Sequence, residues 1–317
     1  MEIDRRELKH RAREDMSLTK PPFWLVTLLY LLMTTGVGYL LSFLPPVQDP
    51  FHGFGLATFF AVIFLFLYNL VVDFGMNLWA LWTSRHLNPG AGALIQGFSV
   101  AGRVLLMELF VALRILGWAL CLSILLVPLL IIVSSTIPSL TPLCILILYA
   151  AIWAIMLRYA LAPYLLADQP DAGAAAAVRR SVDLTRGFKW ELFKLEFSFI
   201  GWLLIGMFLS VLANLFWLWQ NGFFQALAGI PLHQIPDLIG GYFLWQSGVS
   251  IDLFDFSQQY VNLYTLYFNI TNSLEVSLTS DFITLPLYLW LIPYRLVSRS
   301  GFYCARLRLQ QQAAPLL

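Results

Sequence analysis

The chain has 317 residues, of which 59% are hydrophobic, 15% aromatic and only 12% charged, against roughly 25% charged residues in a soluble domain. Water is therefore excluded as its main solvent. Its formal net charge of +1 is a poor guide, because the charges are segregated along the chain.

Residues 1–22 predict a cytoplasmic amphipathic helix. Leu8, Ala12 and Met16 recur at one-turn spacing, Glu2 and Glu7 each precede an Arg by four residues, and Pro21–Pro22 closes the segment. It reads either as a solvated helix or, favoured because a span follows at once, as one lying on an anionic leaflet. The run 23–44 carries no charge and is long enough to cross roughly 30 Å of hydrocarbon. It exceeds a signal-peptide core and lacks a small-x-small cleavage pattern, so it reads as a retained anchor.

Five further spans are expected, at 54–82, 115–134, 143–167, 197–219 and 282–304. The last is the weakest, since Arg295 and Arg299 interrupt it. The chain thus divides into the 1–22 helix, a block of five spans over 23–219, an extracytoplasmic aromatic-rich loop over 220–281, and a sixth span with a basic tail over 282–317. With six passes and the N-terminus inside, all 19 Lys and Arg residues fall on inner segments or span ends, while 45–53, 135–142 and 220–281 hold none. That asymmetry sets both termini in the cytoplasm. Cys121, Cys144 and Cys304 fall in or beside spans and read as small hydrophobes rather than a disulfide framework.

Two segments preceding spans, around 92–114 and 172–202, resemble the basic opening. Both carry Glu-Leu-Phe followed by Gly-Trp, at Glu108–Phe110 with Gly117-Trp118 and at Glu191–Phe193 with Gly201-Trp202. The reading is a threefold repeat, each unit an inner interfacial helix feeding a transmembrane hairpin. Chance likeness among apolar strings is the alternative.

A more specific pattern runs through the second half. Pro163-Tyr164 is followed by Ala167-Asp168, then Ser181 and Gly187 on a basic amphipathic stretch. Leu192-Phe193, Ser198-Phe199 with Gly201-Trp202, and a closing Pro293-Tyr294 and Phe302-Tyr303 complete it. With the charged opening RRELKHRARE, this resembles the domain-of-unknown-function family 975 of bacterial integral membrane proteins. The lead-in LTKPPFW and the long 220–281 loop depart from the family pattern. The resemblance implies a multispanning inner-membrane protein and brings no reaction with it.

Candidate functional residues are few. Asn69, Asp73 and Asn77 share one face of the second span, and Arg158 lies at comparable depth in the fourth. A carboxylate in hydrocarbon costs several kcal/mol unless paired or wet, so this set reads either as a polar track or as a buried pair holding helices together. In the outer loop Leu253, Phe256, Tyr260, Leu263, Tyr264 and Tyr267 form an aromatic helical stripe that suits cap packing or a protein partner. His10, His52, His86 and His233 are scattered, without zinc spacing. No phosphate-binding glycine loop or nucleophile elbow is present, and no cofactor or metal is expected.

The expectation is an all-α polytopic membrane protein with about six spans, inner interfacial helices and an extracytoplasmic helical cap. Its expected partners are membrane lipids and a membrane protein, not nucleic acid; the sequence does not set the oligomeric state. A non-enzymatic scaffold or lipid-interacting module leads. A transporter or channel using the Asn69–Asp73–Asn77 stripe comes second, and an enzyme on lipid headgroups third.

Overall fold

The computed structural model describes residues 4–40, 56–136, 140–235, 238, 241–242 and 258–313. Among these the chain is helical, with no strand. It divides into two compact units, Met1–Ile200 with Leu289–Leu317, and Gly201–Tyr288.

The first unit opens with α1 (Arg5–Ser17), whose start is fixed by the Asp4 carboxylate accepting from the Arg6 amide at 2.8 Å. Its thin apolar stripe is spent on protein. Ala12 and Met16 are buried, and Leu8 abuts Gly301. Apolar side chains on a highly charged helix thus find a dry partner within the protein.

α2 (Phe23–Leu31) starts after Pro22 and continues through a π-helical turn, Leu32–Gly36, into the short turn Val37–Tyr39. α3 (Leu56–Thr83) has 28 residues, about 42 Å at 1.5 Å per residue. It ends in a turn where His86 and Asn88 adopt positive φ, and the chain folds straight back as α4 (Gly92–Gln96). Here two glycines are obligatory. A Cβ on Gly97 would come 2.7 Å from the Val71 carbonyl, and one on Gly75 would overlap the Leu94 backbone. The segment after this turn lies backbone-close to α3, with Ala93 and Leu94 buried.

After a 3-10 turn, Gly97–Val100, the chain runs unbroken through α5 (Ala101–Thr136). The amphipathic lead and the span expected at 115–134 are one helix. The run expected at 143–167 is instead interrupted: α6 (Thr141–Met156) stops, residues 157–161 turn, and α7 (Ala162–Asp168) begins with Pro163 in its first turn. Proline's missing N–H costs nothing there, and the Arg158 carbonyl released by the break accepts from the Ser181 hydroxyl at 2.9 Å.

Ser181 belongs to α8 (Ala174–Thr185), whose buried face is Ala174, Ala177, Val178, Ser181, Leu184 and Thr185. This face packs on α5 and α7, so the apolar stripe is again directed at protein. Gly187, at φ +82°, supplies the left-handed turn into α9 (Lys189–Phe197).

The second unit takes in α10 (Ile200–Gln220) from Gly201 onward, α11 (Phe223–Ala228), α12 (Gln258–Thr271) and the start of α13 (Leu274–Ala313). Gly206 sits under Tyr288, whose hydroxyl would lie 2.9 Å from a Cβ at that position. The expected aromatic stripe is realised in α12 through Leu263 and Tyr264, buried with Ile230 and Leu238. Leu253 and Phe256 lie outside the described residues.

Among the described residues four helices are long and apolar enough to cross a membrane: Phe59–Thr83, Gly92–Ile124, Lys189–Gln220 and Leu274–Gln312. Phe23–Tyr39 and Leu146–Met156 are shorter apolar helices. The first of these ends where description stops, and the second is cut short by the break at Arg158.

Candidate functional site

The motif residues converge in the first unit on three interlocked constellations. In the first, Asp168 at the end of α7 receives both Arg85 guanidinium nitrogens at 2.6 Å and the Tyr303 hydroxyl at 2.6 Å. A bidentate guanidinium with a third donor leaves the carboxylate little free capacity. These hydrogen bonds raise the Arg85 pKa above its ordinary value, outweighing partial burial. Tyr164 is fully buried, its ring 5.7 Å from that of Tyr303, and its hydroxyl donates to the Leu296 carbonyl at 3.2 Å.

In the second, Glu196 at the end of α9 accepts from Arg295 at 2.7 Å and Arg299 at 2.6 Å. The Glu196 side chain is 3% exposed. Two guanidiniums one turn apart on α13 thus share one buried acid.

The third joins α1 to the same region. The Lys9 ammonium donates to Ser198 at 3.1 Å and lies 4.5 Å from the Phe199 ring centroid, while Phe199 meets Tyr294 edge to face at 5.2 Å. Burial, then the charges of Arg13 and Arg5, lower the Lys9 pKa. Nearby, Arg306 donates to the Leu184 carbonyl at the end of α8 at 3.0 Å and stacks 3.6 Å over Phe188. A cation there complements the helix C-terminus. Phe193 stacks with Trp190 at 4.9 Å and meets Trp153 at 5.0 Å.

Residues 1–310 match the family described as Protein of unknown function (DUF975). This chain belongs to that family. No curated protein and no solved structure matches it. The motif residues named from the sequence, Pro163, Tyr164, Asp168, Ser181, Gly187, Phe193, Ser198, Pro293 and Tyr294, all lie in the first unit, and Gly201 and Trp202 lie at the start of the second. Pro293 lies within α13. Trp202 is 41% exposed, and a Cβ on Gly201 would meet nothing within 4 Å.

The proposed intramembrane set is assembled differently from the sequence reading. Asp73 accepts from the Tyr30 hydroxyl at 2.7 Å, and Asn77 turns its amide onto the Asp73 backbone carbonyl at 2.8 Å. The side-chain oxygen of Asn69 is buried without a partner. Arg158 stands elsewhere, its guanidinium 5.7 Å from the Trp118 ring centroid and its Nε buried without a partner. The Asp73 carboxylate is thus held by Tyr30 rather than by Arg158, because the helix break at 157–161 directs Arg158 toward α5 and α8.

Sequence reasoning missed Glu196, Arg85, Tyr30 and Lys9. Glu196 had a signal, since Arg295 and Arg299 one turn apart in an apolar helix call for an acid at equal depth. Tyr30 had none, because nothing local separates it from the other residues of its apolar run.

Proposed function

We propose that this protein is a non-enzymatic, lipid-embedded scaffold of the bacterial inner membrane, presenting a rigid cytoplasmic-side layer to membrane lipids and a membrane-protein partner. One observation carries the reading. The polar motif side chains Asp168 and Ser198, and the acid Glu196 beside them, are taken up by partners within the first unit, Asp168 by Arg85 and Tyr303, Glu196 by Arg295 and Arg299, and Ser198 by Lys9. Groups so fully satisfied serve geometry rather than turnover.

The topology in this reading is six passes with both termini cytoplasmic. The four long apolar helices and the two shorter ones, Phe23–Tyr39 and Leu146–Met156, supply six segments. All 19 Lys and Arg residues lie on segments assigned inside. The exposed apolar face of α5, Leu109, Leu113, Leu116 and Leu120, then meets lipid or a partner helix. Photo-crosslinking residues placed there in living cells are expected to give one discrete membrane-protein adduct. Vesicles containing the purified protein are expected to hold a proton gradient. A leak that depends on Asp73 overturns the scaffold.

That leak defines the second reading, a proton or ion pathway. It is favoured by the pairing of Tyr30 with Asp73 and by the unpartnered Asn69 oxygen. Asp73→Asn then abolishes flux in a folded protein.

A further inference from the structure

Most cations described above have a local acceptor, but Arg114, Arg158 and Arg179 do not. They line a single open cavity of about 720 Å³ bounded by α5, the 157–161 turn and α8, together with Gly117, Trp118, Cys121, Tyr159, Val182 and Asp183. Among the described residues of its wall Asp183 is the one acid, and it forms no ion pair with any of the three. Three arginines around one concavity bring like charges into one neighbourhood, and that charge is left to be met from outside. Arg158 adds an independent sign, for its Nε–H is buried without a partner while its guanidinium is kept in place by Trp118.

We infer that this cavity binds a phosphate group, carried by an anionic phospholipid headgroup or free in solution. Guanidiniums offer paired N–H donors matched to phosphate oxygens. The cavity is large enough for a glycerophosphate headgroup. Beside it runs the exposed apolar face of α5, with Leu116, Leu120 and Ile124, where acyl chains would lie. Gly117 leaves the wall open, since a Cβ there would meet nothing within 4 Å. The broken fourth apolar run thereby acquires a use: its turn brings Arg158 to the cavity, and Ser181 of α8 caps the carbonyl exposed by the break.

This deepens the lipid-interacting part of the proposed function and rests on it. Its test is a binding measurement on purified protein, so it fails or succeeds apart from crosslinking to a partner and from proton flux. Cys121 lies on the cavity wall and reports occupancy. In a Cys144→Ser/Cys304→Ser protein in uncharged detergent, the alkylation rate of Cys121 is followed with added phosphatidylglycerol, diacylglycerol or inorganic phosphate.

Phosphatidylglycerol is expected to slow the reaction several-fold. Replacing Arg114, Arg158 and Arg179 by Gln is expected to remove the protection, with about tenfold weaker binding for each guanidinium lost. Protection by phosphatidylglycerol alone identifies a lipid headgroup, and protection by phosphate as well identifies a site for the free anion. Asp183→Asn, which leaves the three arginines in place, is expected to tighten binding. Equal protection by diacylglycerol, no protection by either phosphate-bearing probe, or protection unchanged in the folded triple variant overturns the inference.

Discussion

All 19 Lys and Arg residues lie in residues 1–200 and 289–317, and the unit 201–288 contains none. The two units are accordingly tied by different chemistry. In the first, helix ends are joined through charge: Glu196 with two arginines, Asp168 with Arg85 and Tyr303, Lys9 on Ser198. In the second, tyrosines do the joining. Tyr264 donates to the Leu238 carbonyl at 2.7 Å, Tyr260 to Gln234 at 2.6 Å, and Tyr242 meets Tyr267 edge to face at 5.3 Å. A hydrogen-bonded neutral hydroxyl costs less to bury than a charge and is hardly screened by salt, whereas a buried charge holds only while its partner remains. The comparison therefore predicts that the first unit breaks sharply at single ionic residues and the second yields gradually.

The sharpest break is expected at Glu196. Glu196→Gln preserves shape but leaves Arg295 and Arg299 without their acid, a loss of about 3–5 kcal/mol for a buried pair. Cys144 and Cys304, both partly buried in the first unit, report unfolding through a thiol-reactive dye, so a marked fall in midpoint is the expected reading. Adding Arg295→Met and Arg299→Met to Glu196→Gln is expected to recover much of it. An unchanged midpoint in Glu196→Gln would show that the three charges are solvated rather than interlocked.

Gly75→Ala comes next. Helix propensity alone favours Ala by about 1 kcal/mol, but the added Cβ meets the Leu94 backbone, which has nowhere to move. The clash wins, and a net loss of about 1–3 kcal/mol is expected. Gly117→Ala, which opens onto free space, is expected to be neutral or slightly stabilising by the same assay.

How much of this was legible follows the same division. Helical class, the apolar runs and the aromatic stripe of α12 could be read because periodicity is local. The run 143–167 looked like one span because composition does not register a turn, although Pro163 and Arg158 were both visible within it. The motif residues stand out as a set, yet Arg85 is 83 residues from its partner Asp168, and Glu196 is 99 and 103 residues from Arg295 and Arg299; such pairings depend on which helices become neighbours. Asp73 stands out in the sequence as a carboxylate in an apolar run. Depth alone suggested Arg158, but Tyr30 was nearer once α2 had packed against α3.

In the second unit a milder response is expected. Tyr264→Phe removes one hydroxyl and leaves the Leu238 carbonyl without that donor, at a cost of about 1 kcal/mol. Hydrogen exchange is expected to quicken in 258–271 and to stay unchanged in 162–199. Acceleration across both segments would mean that the two units unfold together and that their different chemistry has no separate consequence.

The smallest effect separates the units by pH. Asp15, on α1 beside His86 at 3.6 Å, has its carboxyl raised from the ordinary 3.8 by burial, against the pull of His86. A raised acid favours its neutral form in the folded state. Its contribution is therefore fully present below pH 3.8 and is lost as pH rises through the raised folded value. Docking of α1 is expected to loosen slightly over that rise, by less than about 1 kcal/mol, and Asp15→Asn, which carries no charge to bury, is expected to abolish this pH dependence. Exchange of the α1 amides on either side of the window measures it, with α12 as the internal control because no Lys, Arg, His, Asp or Glu lies in Gln258–Thr271. If α1 loosens instead as pH falls through that window, the His86 pairing outweighs burial, and Asp15 belongs with the charge-tied groups of its unit rather than standing as their exception.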